Sequence, residues 1–220
     1  MRAPRLPALL PILLLAACAR SATLEGEVRW ERPPDVPAAR VTVRLVPESE
    51  AFLREWSAAV EAFQTALRPA QEQQRAAERL AERARQAWDR AVATSGTSGV
   101  GLSQWNRSAA GRRWERALWR EVRRTSRLAA AARKRLEALA AEHGAQAELL
   151  LLRHATREVV TDAEGRYILT GLPAGKVHLY ARLPVGERGL VWLRAMELRP
   201  GRHRLDLSEQ TAGGWPFAPA

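Results

Sequence analysis

The side chains that could do chemistry are few: four histidines and one cysteine among 220 residues. His143, His154, His178 and His203 form no HxxE or HExxH pair, the spacing that sets two zinc ligands on one helix face. No glycine-rich turn with its lysine opens a helix to cradle phosphate, and no G-x-S-x-G elbow presents a serine. His154 and Glu158 are near enough in sequence to meet, as a surface contact. These patterns predict no catalytic residue, no metal and no cofactor, which leaves binding and structural roles.

Cys18 does have a context. "MRAPRLPALLPILLLAACAR" begins with Arg2 and Arg5 and continues as an apolar run from Leu9 to Ala17. That run is shorter than the ~20 apolar residues needed to span a bilayer, so residues 1–17 read as an export signal. Leu15-Ala16-Ala17-Cys18 resembles the bacterial lipobox. The resemblance implies that Cys18 carries a lipid anchoring the chain in a membrane, and Ala19 after it implies the outer membrane. Cleavage at the small-x-small triplet Ala17-Cys18-Ala19 is the other reading. With no second cysteine there is no intramolecular disulfide.

A formal net charge of +11 rests almost wholly on arginine, since Lys134 and Lys176 are the only lysines. Such balance suits nucleic acid, but an exported chain rarely meets any. Anionic lipid headgroups or phosphorylated glycolipids are the expected anions, and simple solvated faces are the alternative. Trp88, Trp105, Trp114 and Trp119 stand among Arg107, Arg112, Arg113, Arg116 and Arg120. Basic-aromatic mixtures suit a membrane interface or an anionic partner. Equally, the tryptophans can cover a helix seam while arginine stems pack alongside. Tyr180 and Trp192 are candidate glycan contacts, with strand packing as the competing role.

Elements must position these groups. From Glu48 to Thr94 there is one proline and no glycine, and Phe52, Trp56, Ala59, Phe63, Ala66, Ala70, Ala77, Leu80, Ala84, Ala87 and Ala91 recur at steps of three and four. This predicts a helix with a coiled-coil seam, kinked at Pro69. The glycine-rich tip 94–103 interrupts it, and Ser103 is placed to cap a second helix. Its stripe is Leu118, Val122, Thr125, Ala129, Ala132, Leu136 and Leu139, ending near Leu149 to Leu152. Residues 48–153 are thus expected to form an antiparallel hairpin about 65–70 Å long.

Strand signals lie on both sides of it. Leu24, Gly26 and Val28 alternate, as do Val41, Val43 and Leu45, and five alternating segments follow residue 155. The reading is α+β: a seven-stranded antiparallel sandwich over 23–47 and 154–208, split by the hairpin, with a disordered tail over 209–220.

Gly26-x-Val28, Val41-x-Val43 and Thr161-Asp162-x-x-Gly165-x-Tyr167-x-Leu169-x-x-Leu172-x-x-Gly175-x-Val177-x-Leu179-x-Ala181 resemble the carboxypeptidase regulatory-like (transthyretin-like) β-sandwich. The resemblance covers about residues 23–46 and 155–208 and implies an accessory, adhesion or carbohydrate-associated module. Asp162 and Gly165 are expected to close a tight hairpin.

The leading expectation is a non-enzymatic lipoprotein, held by Cys18 and using the hairpin to reach an envelope protein or glycan. A transport or secretion adaptor is a second reading, because periplasmic adaptors also split a β-domain with a helical hairpin. The strands here lack their paired lipoyl-like halves. Glycan binding by the sandwich is a third.

Overall fold

The computed structural model describes residues 21–30, 36–97, 108–184 and 189–218. Among these residues, nine strands and two helices follow in the order β1 (Ser21–Glu27), β2 (Arg29–Trp30), β3 (Val36–Pro37), β4 (Thr42–Pro47), α1 (Glu50–Thr97), α2 (Ala109–His154), β5 (Arg157–Val160), β6 (Arg166–Pro173), β7 (Gly175–Leu183), β8 (Leu190–Leu198) and β9 (Gly201–Arg204). The described residues up to Ala58 form one compact unit with Gln146–Pro216, and Ala59–Ala145 form the other with the residues from Phe217 on.

In the first unit the fold is α+β, with a three-stranded sheet ordered β6-β1-β9 and a four-stranded sheet ordered β5-β4-β7-β8. The expected uniform antiparallel seven-stranded arrangement needs correcting. Strand β1 pairs antiparallel with β6 but parallel with β9, and β2 with β3 makes a separate two-residue ribbon. Alternation shows which residues share a face, but partner direction depends on where distant segments dock.

The chain before the helices does pair with the chain after them. Thr42 to Leu45 run antiparallel to Val160 to Arg157, and Val43 to Pro47 pair with Ala181 to Val177. Thr161 reinforces this closure from a buried position. Its hydroxyl donates to the Ala38 carbonyl at 2.7 Å and accepts the Val41 amide at 2.9 Å.

The turn at Asp162–Gly165 is tight, as expected. Asp162 Oδ1 accepts from the Glu164 and Arg166 amides, and Gly165 adopts φ 77°. It does not join hydrogen-bonded neighbours, however: β5 belongs to the four-stranded sheet and β6 to the three-stranded one. It is a corner between sheets.

Both sheets supply one apolar cluster, including Leu24, Tyr167, Leu169 and Leu172 from one and Val43, Leu45, Leu179 and Trp192 from the other. Gly26 is required there, because a Cβ would overlap the Leu205 carbonyl, to which Tyr167 donates at 2.6 Å. Residues of opposite parity on the four-stranded sheet face a second cluster. Val46 and Tyr180 pack with Phe52 of α1 and with Leu150 and Leu151 of α2. Strand β7 is therefore covered on both faces, with Val177, Leu179 and Ala181 on one side and Tyr180 on the other.

Polar groups fasten the helix ends within this unit. Ser49 Oγ accepts the Phe52 amide and caps α1. The Tyr180 hydroxyl donates to Glu148 Oε1 at 2.7 Å, and Arg182 holds the other oxygen at 2.8 Å. Burial first, then the bond to Glu148, pushes the Tyr180 phenol well above its usual range. Phe52 lies between two imidazoles, 5.6 Å from His154 and 5.2 Å from His178. His154 meets Glu55 at 3.4 Å rather than the expected Glu158, which pairs with Arg44.

Residues 209–218 are not the disordered tail the sequence suggests. Gly213 exchanges backbone bonds with Val191 and Leu193, and the Trp215 ring packs against Trp56 and Tyr180. Gly214 permits the close approach, because a Cβ there would overlap the Leu193 carbonyl, and aromatic burial offsets the cost of ordering the segment.

Thr161→Val keeps volume but strands two buried backbone groups. We expect a loss of about 1–3 kcal/mol in chemical denaturation, and an unchanged midpoint would show the staple is dispensable. Burial holds the His178 imidazole below its ordinary value, with Glu48 partly opposing. A lowered folded pKa means the unfolded chain binds the proton more readily. Stability from this group is therefore full above about pH 6.5 and falls as pH drops toward the folded pKa. Melting from pH 7.5 to 5 should show this decline reduced in His178→Gln; equal slopes would contradict the assignment.

Candidate binding surface

The second unit contains most of both helices. Phe63 of α1 meets His143 of α2 at 5.4 Å, Glu78 meets Arg133 at 3.3 Å, and Trp88 meets Trp119 at 5.2 Å. As the α1 number rises its partner's number falls, so the pairing is antiparallel. Hydrogen bonds from Gln74 and then Arg133 hold the Glu78 carboxyl below its usual range. Phe217 packs on Phe63 at 5.3 Å.

Burial defines the seam. On α2, Leu118, Val122, Thr125, Ala129, Ala132, Leu136 and Leu139 are all at least half-buried, as expected. Helix α2 runs through Gly144, itself buried, and reaches His154. Thr125 satisfies its hydroxyl on the Glu121 and Val122 carbonyls, which lets a polar residue sit there. On α1 the stripe continues through Gln74, Ala77, Ala81, Ala84 and Trp88, whereas Leu80 is 49% exposed. The expected seam position for Leu80 is corrected: two successive steps of four, Ala66 to Ala70 to Gln74, move the stripe by one place. Pro69 lies inside α1 on its exposed side. The α2 cap is Ser108, whose Oγ accepts the Gly111 amide at 3.1 Å; Ser103, the expected cap, lies outside the described residues.

Opposite the α2 seam lies a line of charge. Between Ala109 and Arg135 there are nine arginines and Lys134 against only Glu115 and Glu121. Arg113, Arg116, Arg120, Arg123 and Arg127 follow at steps of three and four, which puts them on one side of the helix, and all are exposed. Their span is about 21 Å at 1.5 Å per residue. Glu121 pairs with Arg124 beside the line. Among the described residues, no acidic side chain lies within ion-pair reach of those five arginines.

Of the residues singled out from sequence, Trp88, Trp119 and Arg112 come together, joined by Glu115 and Arg116, around a shallow depression of about 390 Å³. Trp119 remains 46% exposed although it touches Trp88, so the ring both covers the helix pair and faces solvent. Trp114 and Arg113 are exposed. Trp105, Arg107, Cys18, the leader 1–17 and tip residues 98–103 lie outside the described residues. Arg123 and Arg127 were missed, although their spacing continues that of Arg113, Arg116 and Arg120.

Tyr180 and Trp192 are not glycan contacts. Both rings are buried, with Trp192 Nε1 donating to the Ser208 carbonyl at 2.8 Å and Tyr180 bonded to Glu148. Alternation could not reveal this, because both faces of the four-stranded sheet are covered. Among the described residues no three His, Cys, Asp or Glu side chains gather as a metal site would, and no helix is long and apolar enough to cross a membrane.

The corrected register separates two leucines. Leu136→Ala, buried in the seam, should cost about 2–5 kcal/mol, while exposed Leu80→Ala should change stability by no more than about 0.5 kcal/mol. Equal losses on thermal denaturation would refute the seam.

No protein-family model and no curated protein matches this chain. Among solved structures it is similar to the pilus backbone RrgB from Streptococcus pneumoniae, at 13% identity and a TM-score of 0.29, over 84% of this chain and 40% of that one. It is also similar to the full-length major pilin RrgB of that organism, at 12% identity and a TM-score of 0.26, over 86% of this chain and 30% of that one. The chain thus spans less than half the length of the structures it matches, and similarity at this level does not define a shared fold.

Proposed function

We propose that this protein is a non-enzymatic, membrane-anchored lipoprotein of the cell envelope whose paired helices are a docking element. In this reading Cys18 carries the anchor, in the outer membrane, and the β-rich unit is a carboxypeptidase regulatory-like sandwich that holds the helix ends. Inward-facing Tyr167, Leu169, Val177 and Leu179 in one core favour that family, and the parallel β1–β9 pairing departs from the antiparallel arrangement expected of it.

The observation that carries the docking role is the line Arg113, Arg116, Arg120, Arg123 and Arg127. Five guanidinium groups stand exposed on one helix side, without acidic partners among the described residues. Intrahelical ion pairs would stabilise the helix by about 0.2–0.5 kcal/mol each, and this side forgoes them. A surface charged in that way is complementary to an anionic partner.

Photo-crosslinkers placed at Ser126 and Ala130 in cells, with Thr170 on β6 as reference, test the reading. Adducts from α2 and few from Thr170 are expected. Deleting 71–135, which joins seam positions 70 and 136, should abolish partner capture while Cys18-dependent acyl labelling persists. Adducts from Thr170 alone would overturn the docking role, and labelling that survives Cys18→Ser would overturn the anchor.

A further inference from the structure

We infer that the arginine line of α2 docks flat on an anionic phospholipid surface. The inference rests on the docking role proposed above and names its partner. Three observations converge on a lipid. First, Arg113 through Arg127 form an extended row on one helix side, not a pocket, so they match an array of phosphates better than one small anion. Guanidinium groups bind phosphate oxygens in bidentate fashion and shed water more readily than ammonium groups, and arginine fills every position in the row.

Second, the row is bordered by apolar groups that a folded surface ordinarily hides. Trp119 and Leu128 are 46% and 45% exposed. Leu128 shares one groove with Arg120, Arg123, Arg124 and Arg127, while Trp119 shares another with Trp88, Arg112 and Arg116. Tryptophan beside cationic side chains is the composition that settles at the headgroup level of a bilayer. Third, the stretch from Ser108 to Leu128 contains no Asn or Gln. Base-edge readout draws on those side chains as well as arginine, whereas a phosphate surface needs only positive charge and interfacial rings.

Co-sedimentation of the full chain with vesicles tests this, comparing phosphatidylcholine alone with phosphatidylcholine plus phosphatidylglycerol. Only the anionic increment is read, because any lipid anchor or leader contributes to both compositions. The wild-type increment should be clear at low salt and shrink as salt rises. Changing Arg116, Arg120, Arg123 and Arg127 together to Gln should reduce it at least about tenfold, while circular dichroism shows helix content unchanged. A second variant, with Arg75, Arg79, Arg83 and Arg85 of α1 changed to Gln, loses the same charge and should keep most of the increment. Trp119→Ala should weaken the binding that remains at high salt.

No anionic increment in the wild type, or equal loss in both quadruple variants, overturns the inference. So does duplex DNA binding in fluorescence anisotropy that exceeds vesicle binding at the same salt. If vesicles fail while α2 crosslinks to an envelope protein, the docking role stands and the lipid assignment falls.

Discussion

The structure depends on a closure across a long gap in sequence. Strand β4 ends at Pro47, and its neighbour β5 does not begin until Arg157. Had the chain between them been coil, the closure entropy would rise with the logarithm of its length, and the ordering of each residue would add to that cost. Two helices pairing antiparallel solve the problem locally, because they return the chain to where it left. Thr161 then joins the returning segment to Ala38 and Val41, so that β4 lies between β5 and β7 in a complete ladder.

From that closure follows the double covering of the four-stranded sheet. One face joins the core shared with β1 and β6; the other receives the first turns of α1 and the last turns of α2. The polar groups at this second face are arranged around apolar bulk. Glu148 serves both Tyr180 and Arg182, Phe52 separates His154 from His178, and Trp215 closes the edge beside Trp56 and Tyr180.

Packing also shapes the charged side of α2. Its seam is filled by Leu118, Val122, a self-bonded Thr125, two alanines, Leu136 and Leu139, which leaves the opposite side free of packing duty. Arginine keeps helix propensity high there while concentrating positive charge in one row. Trp119 belongs to both regions, one part against Trp88 and the rest in solvent. Packing and surface chemistry meet in that side chain, which is why sequence reasoning could assign it to either.

What the sequence determined by itself was everything carried by local periodicity. The two helices, the α2 stripe from Leu118 to Leu139 and strand segments on both sides of the helices were legible, because 3.6- and 2-residue repeats need no knowledge of partners. The arginine row was equally open to that reasoning, had the 3-4 spacing been followed past Arg120. Only the tertiary structure decided the rest. The parallel pairing of β1 with β9, the corner at Asp162, the shift that exposes Leu80, the burial of Tyr180 and Trp192, and the docking of residues 213–217 all depend on contacts between distant segments. A backbone repeat states which side chains share a face; whether that face meets water, a sheet or a returning tail is set by the other elements that come to lie against it.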